Sequence, residues 1–474
     1  MDAAEFRRHG HDLVDWIAQY LETNEELPVM ARIEPGAVAA RLPGAAPEEG
    51  EAMASILADF RRDILPGVTH WNHPRFFAYF PANNSYPSIL GELLAAGLGV
   101  NAMLWQTSPA ATELEQVVMG WLADLVGLPA GFYGCIQDTA STATLTALVC
   151  ARERSTAFAV NAEGFGAAGP LRIYTSRDAH SSVIKGARIA GFGDGNVVLV
   201  DVDQERAMDP ADLERRIAAD REAGLVPCCV VATVGTTGTT AIDPLPAIGP
   251  IAARHGLWLH VDAALAGTAA IVPELRWILD GVEHADSLVF NPHKWMFTNF
   301  DCSAWYVKDP AHLERTLAID PEYLKTDQDA VVRNFRDWGV PLGRRFRALK
   351  LWFVLRSFGA RRLREMVAAH IALAREFAGW IDAADGWERL APVPLNTVCF
   401  RLRPAGADLE TCNRLNKALL DRVNAEGTIY LTLTKLDGVT TLRVAVGQTR
   451  TERRHVQQAW EALQREAAAL TARA

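Results

Sequence analysis

The sequence has few cysteines and no apolar run long enough to cross a membrane. Seven of its 474 residues are cysteine, and none is part of a Cys-x-x-Cys pair. An odd number of cysteines without a pairing pattern disfavours a disulfide framework, so we expect a reducing, cytoplasmic environment. Residues 1–22 contain charged side chains throughout, which argues against a signal peptide, and a membrane-spanning helix needs about 20 consecutive apolar residues. We therefore expect neither secretion nor insertion into a membrane.

Positive charge is also scarce. The 47 lysines and arginines are outnumbered by 57 aspartates and glutamates, which gives a formal net charge of -10 and no support for nucleic acid or anionic membrane as partners. The P-loop pattern is absent, and a match to Gly-x-Gly-x-x-Gly at residues 164–169 runs into Pro170 instead of opening a helix. His70 and His73 lack cysteine or carboxylate partners at ligand spacing, so we expect no metal site.

The order of strand-like and helix-like runs predicts the fold class. These runs alternate in the middle of the chain, which predicts a mainly parallel sheet with helices on both faces. After about residue 350, a helical stretch and short strands near residues 397–402, 428–432 and 442–446 predict a smaller α+β domain. The N-terminal helix has an apolar side and precedes a Pro/Ala/Gly-rich linker at residues 34–50, so we expect it to pack across a dimer.

Lys294 is the first candidate for a reactive group. It lies in residues 291–295, directly after the apolar run at residues 287–290, and therefore just past a buried strand. A desolvated amine loses basicity and becomes a usable nucleophile, which is what a protein needs to bind pyridoxal phosphate covalently. The alternative is an ordinary solvated lysine after a strand.

Asp262 is the acid that pyridoxal chemistry would require. Asp262 stands at the end of the apolar run at residues 257–261, and two alanines follow Asp262. A carboxylate at a rigid strand end can keep a pyridinium nitrogen protonated, and small neighbours let a flat ring lie close. The alternatives are a helix N-cap or a metal-binding carboxylate.

Three further segments would complete a site of this kind. Residues 137–144 are small and hydroxylated and open a helix-like run, whose first turn could bind a phosphate or could be an ordinary Ser/Thr cap. His180 follows a strand-like run and could stack on a ring, although a lone histidine is usually structural. The polar loop at residues 233–238 follows another apolar run. Ligand sites of open α/β sheets lie at such strand ends.

Taken in order, these segments resemble the group II pyridoxal-phosphate decarboxylases and, within that family, the aromatic-L-amino-acid decarboxylases. The likeness covers nearly the whole chain and includes residues 73–81, 108–115 and 341–347. It implies an α/β fold of the PLP-dependent transferase type (type I, aminotransferase-like), with a mainly parallel central sheet and a smaller C-terminal α+β domain. It also implies three parts: an N-terminal helical segment wrapping the dimer partner (1–85), a large cofactor-binding domain (86–350) and a small domain (351–474).

The resemblance implies roles for individual residues. Lys294 would bind the cofactor covalently, Asp262 would pair with the pyridinium nitrogen, and His180 would stack on one ring face. Tyr323, on a polar loop suited to a lid, would protonate the α-carbon after carbon dioxide leaves. The other residues implied in cofactor binding are Thr139, Ala140, Ser141, Thr237, Ala264, Asn291 and His293.

The resemblance also implies an aromatic substrate of the tryptophan, dihydroxyphenylalanine (DOPA), tyrosine or phenylalanine class. Gly343 would leave room for indole or a substituted phenyl ring, which makes the smaller polar ring of histidine a less favoured substrate. The active sites would lie at the interface of a homodimer. The residues implied in lining the substrate cleft are Trp71, Tyr79, Phe80 and Pro81, with Asn101 and Met103 contributed by the second subunit.

Four positions depart from the family pattern. Asp138 stands where many relatives have glycine beside the phosphate, and Ala82 where some have threonine near the substrate carboxylate. Asn101 and Met103 replace more apolar and aromatic residues of the animal enzymes, so ring preference cannot be copied from those enzymes. None of these changes removes a residue that decarboxylation requires.

We therefore expect a PLP-dependent carboxy-lyase that converts an aromatic L-amino acid into its amine and carbon dioxide. One alternative is a PLP-dependent aromatic aldehyde synthase, which His180 and Tyr323 together disfavour. The other is a catalytically silent binding protein, which the retention of Lys294 and Asp262 disfavours.

Overall fold

The computed structural model describes residues 1–167, 169–319, 324, 327–328 and 331–472. The chain divides into two compact units. The larger unit comprises Ala82–Ala378 and Ala391–Cys399, and the smaller unit comprises Met1–Pro81, Gly379–Leu390 and Phe400–Ala474. In the described part of the chain, no helix is long and apolar enough to cross a membrane.

The α-helices, in chain order, are α1 (Ala3–Thr23), α2 (Met53–Asp59), α3 (Tyr86–Leu98), α4 (Pro109–Val126), α5 (Ala140–Ser155), α6 (Ala159–Glu163), α7 (Ser182–Ile189), α8 (Pro210–Glu222), α9 (Leu245–His255), α10 (Pro292–Trp295), α11 (Pro310–Leu317), α12 (Arg347–Asp382), α13 (Leu409–Glu426) and α14 (Arg453–Thr471). Local chemistry fixes their ends. In α4, for example, the side chain of Ser108 accepts the Ala111 N–H, Pro109 occupies the first turn, and Gly127 ends the helix at φ 77°. The run of α12 is interrupted at Gly359, whose backbone is not helical.

The larger unit is built on a seven-stranded sheet. Its strands are β1 (Tyr133–Gln137), β2 (Leu171–Ser176), β3 (Val197–Val200), β4 (Val226–Thr233), β5 (Trp258–Asp262), β6 (Ser287–Phe290) and β7 (Ser303–Val307), in the spatial order β1-β7-β6-β5-β4-β2-β3. The pairings β2–β3, β2–β4, β4–β5 and β5–β6 are parallel, and only β7 runs against its neighbours β1 and β6. The predicted mainly parallel sheet is confirmed.

A second sheet has four strands in the order β10-β11-β9-β8. They are β8 (Trp387–Arg389), β9 (Thr397–Leu402), β10 (Thr432–Leu436) and β11 (Val439–Ala445). The prediction of a strand at residues 428–432 is wrong, because β10 begins only at Thr432. Tyr430 instead forms an isolated bridge with Phe76. The position of β10 is set by a two-residue turn at Asp437 and Gly438, both at positive φ. This turn fixes the register of the β10–β11 hairpin.

Gly235, in the predicted polar loop at residues 233–238, gives a test of how this loop packs against Ala266. Gly235 has φ 89°, and a Cβ there would lie 2.6 Å from Ala266 Cβ. We expect Gly235→Ala to lower the free energy of unfolding by about 2–4 kcal/mol, because it adds both backbone strain and a clash. Gly224, at φ 73° with no atom near its Cβ position, is the matched control. Gly224→Ala should lower the free energy of unfolding by only about 1 kcal/mol. Urea denaturation measures both variants, and an equal loss in the two would contradict the proposed clash with Ala266.

Candidate active site

The carboxyl ends of the parallel strands bring the predicted residues to one edge of the large sheet. Thr233 at the end of β4 pairs in register with Asp262 at the end of β5, and Asp262 pairs with Val289 near the end of β6. The segments that follow β1, β2, β4, β5 and β6 contain the predicted cofactor residues of the larger unit. These segments therefore share one edge of the large sheet.

Lys294, Asp262 and His180 interact electrostatically at this edge. Lys294 lies half-buried in the short helix α10, directly after β6. Burial lowers the pKa of Lys294, while the Asp262 carboxylate acts in the opposite direction. Desolvation also lowers the pKa of His180, with Asp262 raising it and Lys294 lowering it further. Burial therefore acts against the charged forms of both Lys294 and His180.

Hydrogen bonds hold the Asp262 strand end in place. Asp262 is only 4% exposed, and one of its carboxylate oxygens accepts the Ala264 N–H at 3.0 Å. Two residues earlier, the ring of the fully buried His260 lies 2.9 Å from Ser287 Oγ through Nδ1 and 3.4 Å from Thr144 Oγ1 through Nε2. The end of β5 therefore has fixed polar contacts at both His260 and Asp262.

His260 predicts a pH dependence of stability. Burial lowers its pKa to about 4 from an ordinary value of 6.5. Since the unfolded chain binds this proton more readily than the folded chain, the contribution to stability is complete above pH 6.5 and is lost as the pH falls through 4. We expect the free energy of unfolding to fall over this interval. The free energy of unfolding of the protein and of His260→Gln is measured by urea denaturation at several pH values. It should fall less steeply with decreasing pH in the variant, and equal slopes would contradict the lowered pKa of His260.

The first turn of α5 lies at the same sheet edge. Thr139 is its N-cap and accepts the Thr142 N–H at 3.4 Å, while Ala140 is buried and Ser141 is exposed. The N–H groups of such a turn, with the helix dipole, favour an anion. Asp138, which the sequence marked as a departure, accepts the Thr139 N–H at 2.7 Å.

A cation opposes the negative charge of Asp138. Arg347 interacts electrostatically with Asp138 and forms an ion pair with Asp301 at 2.6 Å. Sequence reasoning missed this role, although Arg347 is the last residue of a segment that carries the family resemblance. The signal that could have found it is the unmatched acid itself, since a carboxylate beside a phosphate needs a neighbouring cation.

Asn291 and His293 are both buried next to Lys294. The Ser303 hydroxyl lies 2.6 Å from Asn291 Oδ1 and 3.3 Å from the Asp138 carbonyl oxygen, so it connects the α10 segment with the start of α5. His293 Nδ1 accepts the Cys302 N–H at 2.9 Å, and burial lowers the pKa of His293 to about 3. Ser303 is a second residue that sequence reasoning missed.

Thr237 and Ala264 complete the set of predicted cofactor residues, and both are half-buried. Thr237 lies in a tight loop in which the N–H groups of Gly235 and Thr236 both donate to the Ala241 carbonyl, at 2.9 and 3.0 Å. The loop therefore has a fixed backbone at the end of β4.

The predicted substrate residues form two groups, one in each unit. In the smaller unit, the exposed rings of Trp71 and Tyr79 stack with centroids 5.6 Å apart, and Phe80 and Pro81 are buried. In the larger unit, Asn101 Nδ2 lies 3.6 Å from Met103 Sδ, and a Cβ on Gly343 would lie 3.8 Å from the same nitrogen. Asn101, Met103 and Gly343 are therefore neighbours.

Ala82 is the first residue of the larger unit. Tyr323 lies outside the described residues.

The residues at the sheet edge suit pyridoxal phosphate. A half-buried amine of lowered pKa can react with an aldehyde, a buried carboxylate can face a ring nitrogen, and the start of α5 can hold a phosphate. Among the described residues, no group of three or more His, Cys, Asp or Glu side chains could hold a metal ion. The donor set thus matches a flat, phosphorylated heteroaromatic aldehyde.

Comparison with known proteins agrees with this chemistry. Residues 35–403 match the pyridoxal-dependent decarboxylase conserved domain. The chain is 44% identical to phenylacetaldehyde synthase of Arabidopsis thaliana, over 99% of this chain and 97% of that protein. It is 43% identical to tryptophan decarboxylase 2 of Oryza sativa subsp. japonica, over 98% and 95% of the two chains. The crystal structure of Oryza sativa TDC with PLP and tryptamine superposes with a TM-score of 0.96 at 37% identity and covers 99% of each chain. The chain belongs to the pyridoxal-dependent decarboxylase family, and its cofactor is pyridoxal phosphate.

Proposed function

We propose that this protein decarboxylates an aromatic L-amino acid to the corresponding amine and carbon dioxide. The observation that supports this most directly is the half-buried Lys294, whose pKa is lowered by burial and which interacts with His180 and Asp262. Among its relatives are a tryptophan decarboxylase and several tyrosine decarboxylases. The reaction class is that of a carboxy-lyase.

The residues at the sheet edge have separate tasks. Lys294 would bind the cofactor, and burial lowers its pKa, which favours the unprotonated, nucleophilic amine. Asp262 would hold the proton on the ring nitrogen, and His180 would cover one face of the ring. Thr139, Ala140 and Ser141 would hold the phosphate, with Asn291 and His293 nearby. When bound, pyridoxal phosphate accepts the electrons that the breaking bond to the carboxylate releases.

The protein decides which bond breaks by orienting the substrate. The pocket would orient the substrate so that the bond to its α-carboxylate, and not the bond to its α-proton, is the one that the bound cofactor activates. Tyr323 would donate a proton to the α-carbon after carbon dioxide leaves, which makes the product an amine. Lys294 would hold the cofactor again once the amine is released.

Trp71, Tyr79, Phe80 and Pro81 bind the aromatic side chain of the substrate. Asn101 and Met103 are contributed by the second subunit, and Gly343 leaves room for the ring. The flat, stacked faces of Trp71 and Tyr79 suit an aromatic ring. Neither of these residues offers a charge that would bind the side chain of aspartate or glutamate. The substrate class is therefore tryptophan, DOPA, tyrosine or phenylalanine.

Aldehyde synthesis is the second candidate function, because a phenylacetaldehyde synthase is 44% identical to this chain. The family resemblance implies that aldehyde synthases carry a different residue at the position of Tyr323 or His180. Both decarboxylase residues are present in this sequence. This difference favours the amine as the main product.

We further propose that the active protein is a homodimer. Helix α3 exposes an apolar face formed by Tyr86, Leu90, Leu93, Leu94 and Leu98, each at least 47% exposed. Spacings of three and four residues place these side chains on one side of the helix, where a second copy of the chain can cover them. Residues 1–85 wrap around that copy, and residues 86–350 bind the cofactor.

The seven cysteines are all free and buried. This state suits a reducing compartment, and we propose a cytoplasmic location.

The test is a substrate panel on purified protein loaded with pyridoxal phosphate. Tryptophan, tyrosine, phenylalanine, DOPA, histidine and glutamate are supplied separately, while carbon dioxide release and product mass are measured. Amine from an aromatic amino acid is the expected result. Aldehyde as the main product would assign the protein to the synthases, and no product from any substrate would overturn the proposal.

A further inference from the structure

Asp138 connects β1 with α5, and its backbone is held on both sides. Gln137, the last residue of β1, pairs in register with Ser303 of β7, and its side-chain amide donates to the Trp338 carbonyl at 2.7 Å. The Ser303 hydroxyl lies 3.3 Å from the Asp138 carbonyl oxygen. On the other side, Thr139 is the N-cap of α5. The Asp138 carboxylate can therefore change position mainly by rotation of its own side chain.

The Asp138 carboxylate binds a donor that a phosphate at the start of α5 would also use. One of its oxygens accepts the Thr139 N–H at 2.7 Å. The first N–H groups of a helix have no partners within the helix and, together with the helix dipole, favour an anion. At the start of α5, the protein itself already supplies an anion through Asp138. A second anion there has one N–H fewer to bind.

The negative charge of Asp138 is only partly balanced. Arg347 interacts electrostatically with Asp138, but its guanidinium donates two hydrogen bonds to the Asp301 carboxylate, at 2.6 and 3.3 Å. Among the described residues, no basic side chain forms an ion pair with Asp138. A phosphate at the start of α5 would therefore lie near a carboxylate whose compensating cation is shared with a second acid, and like charges repel.

We propose that Asp138 competes with the phosphate of PLP for the start of α5 and thereby lowers the affinity of the protein for its cofactor. For the phosphate to accept the Thr139 N–H, the Asp138 carboxylate must release this donor and turn away. The inference rests on the proposed function, in which Thr139, Ala140 and Ser141 hold the phosphate. The protein consequently needs a higher concentration of free PLP for full loading than it would need without this carboxylate.

Two substitutions at Asp138 separate the charge from the hydrogen bond. Asp138→Asn keeps the shape and an oxygen that can accept the Thr139 N–H, but it removes the charge. Asp138→Gly removes both. We expect the dissociation constant for PLP to fall roughly 2- to 30-fold in Asp138→Asn, the range that a charge at a helix N-terminus produces, and at least as much in Asp138→Gly. The visible absorbance of lysine-bound cofactor, after dialysis of the full-length protein against graded concentrations of PLP, measures this constant.

Pyridoxal, which lacks the phosphate, tests whether the effect acts on the phosphate. Its aldehyde can still react with the proposed lysine, so its binding is measured by the same absorbance. The dissociation constant for pyridoxal should stay the same in both Asp138 variants. The ratio of the pyridoxal constant to the PLP constant should therefore rise by the full gain in PLP affinity. A general change in the structure of the site would shift both constants together.

Asp309→Asn is the matched control. Asp309 is the N-cap of α11 and accepts the His312 N–H at 2.9 Å. Because β7 runs antiparallel to β6, Asp309 follows β7 at the opposite edge of the sheet from Lys294. This substitution removes the same charge from a helix N-terminus, and asparagine is an equally good N-cap. The dissociation constant for PLP should not change.

Unchanged or weaker PLP binding in both Asp138 variants would overturn the competition, as would an equal gain for pyridoxal or for Asp309→Asn. A gain confined to Asp138→Gly would support competition through the hydrogen bond alone. Failure of the proposed function would look different, because the unaltered protein would then bind PLP but form no amine from any aromatic amino acid.

Discussion

Lys294→Ala should lose both turnover and the visible absorbance of lysine-bound pyridoxal phosphate. We expect kcat to fall by roughly 10³-fold or more, because the variant has no amine to bind the cofactor covalently, release the product and move protons at the site. Decarboxylation assays and absorbance spectra of the purified variant measure the two losses separately.

Lys185 supplies the control for this experiment. It is an exposed lysine on α7 whose charge also lowers the pKa of His180. Lys185→Ala therefore removes a nearby positive charge and keeps the proposed covalent attachment. The visible absorbance of lysine-bound pyridoxal phosphate should persist in this variant. Normal turnover in Lys294→Ala, with the fold intact by circular dichroism, would refute the assignment of the reactive lysine.

Tyr323→Phe should redirect the reaction from amine to aldehyde. Without the phenolic proton donor, we expect amine formation to fall by roughly 10²-fold, the usual contribution of a positioned acid. Converting the amino acid to the aldehyde is a two-electron oxidation. One dioxygen and one water are therefore consumed for each carbon dioxide, ammonia, hydrogen peroxide and aldehyde formed. Product mass, ammonia and peroxide assays under air measure the change.

Tyr133→Phe is the control for this second experiment. Tyr133 is an exposed tyrosine at the start of β1, and the substitution removes a hydroxyl while keeping the ring on which Arg333 lies. Its ratio of amine to aldehyde should match that of the unaltered protein. If Tyr323→Phe also kept that ratio, another group would have to deliver the proton to the α-carbon.

Short-range patterns were sufficient for most of the large sheet. Buried parallel strands are nearly continuous apolar runs, so β4, β5 and β6 could be predicted from residues that lie next to one another. The strand near residue 430 was not predicted correctly, because its register depends on the turn at Asp437 and Gly438 and on the bridge between Tyr430 and Phe76. The second of these contacts joins residues more than 350 positions apart.

The sequence by itself determined the family, the cofactor and the identity of the candidate lysine, acid and histidine, because these depend on residue types in a fixed order along the chain. Only the tertiary structure brought Arg347 into electrostatic interaction with Asp138 and placed Ser303 between Asn291 and the start of α5. It also set the Arg344 N–H against Asn101 Oδ1 and Asn101 Nδ2 against Met103 Sδ. Charge compensation and the direction of a hydrogen-bond donor depend on which atoms meet in space, and these atoms come from segments that are distant in the sequence.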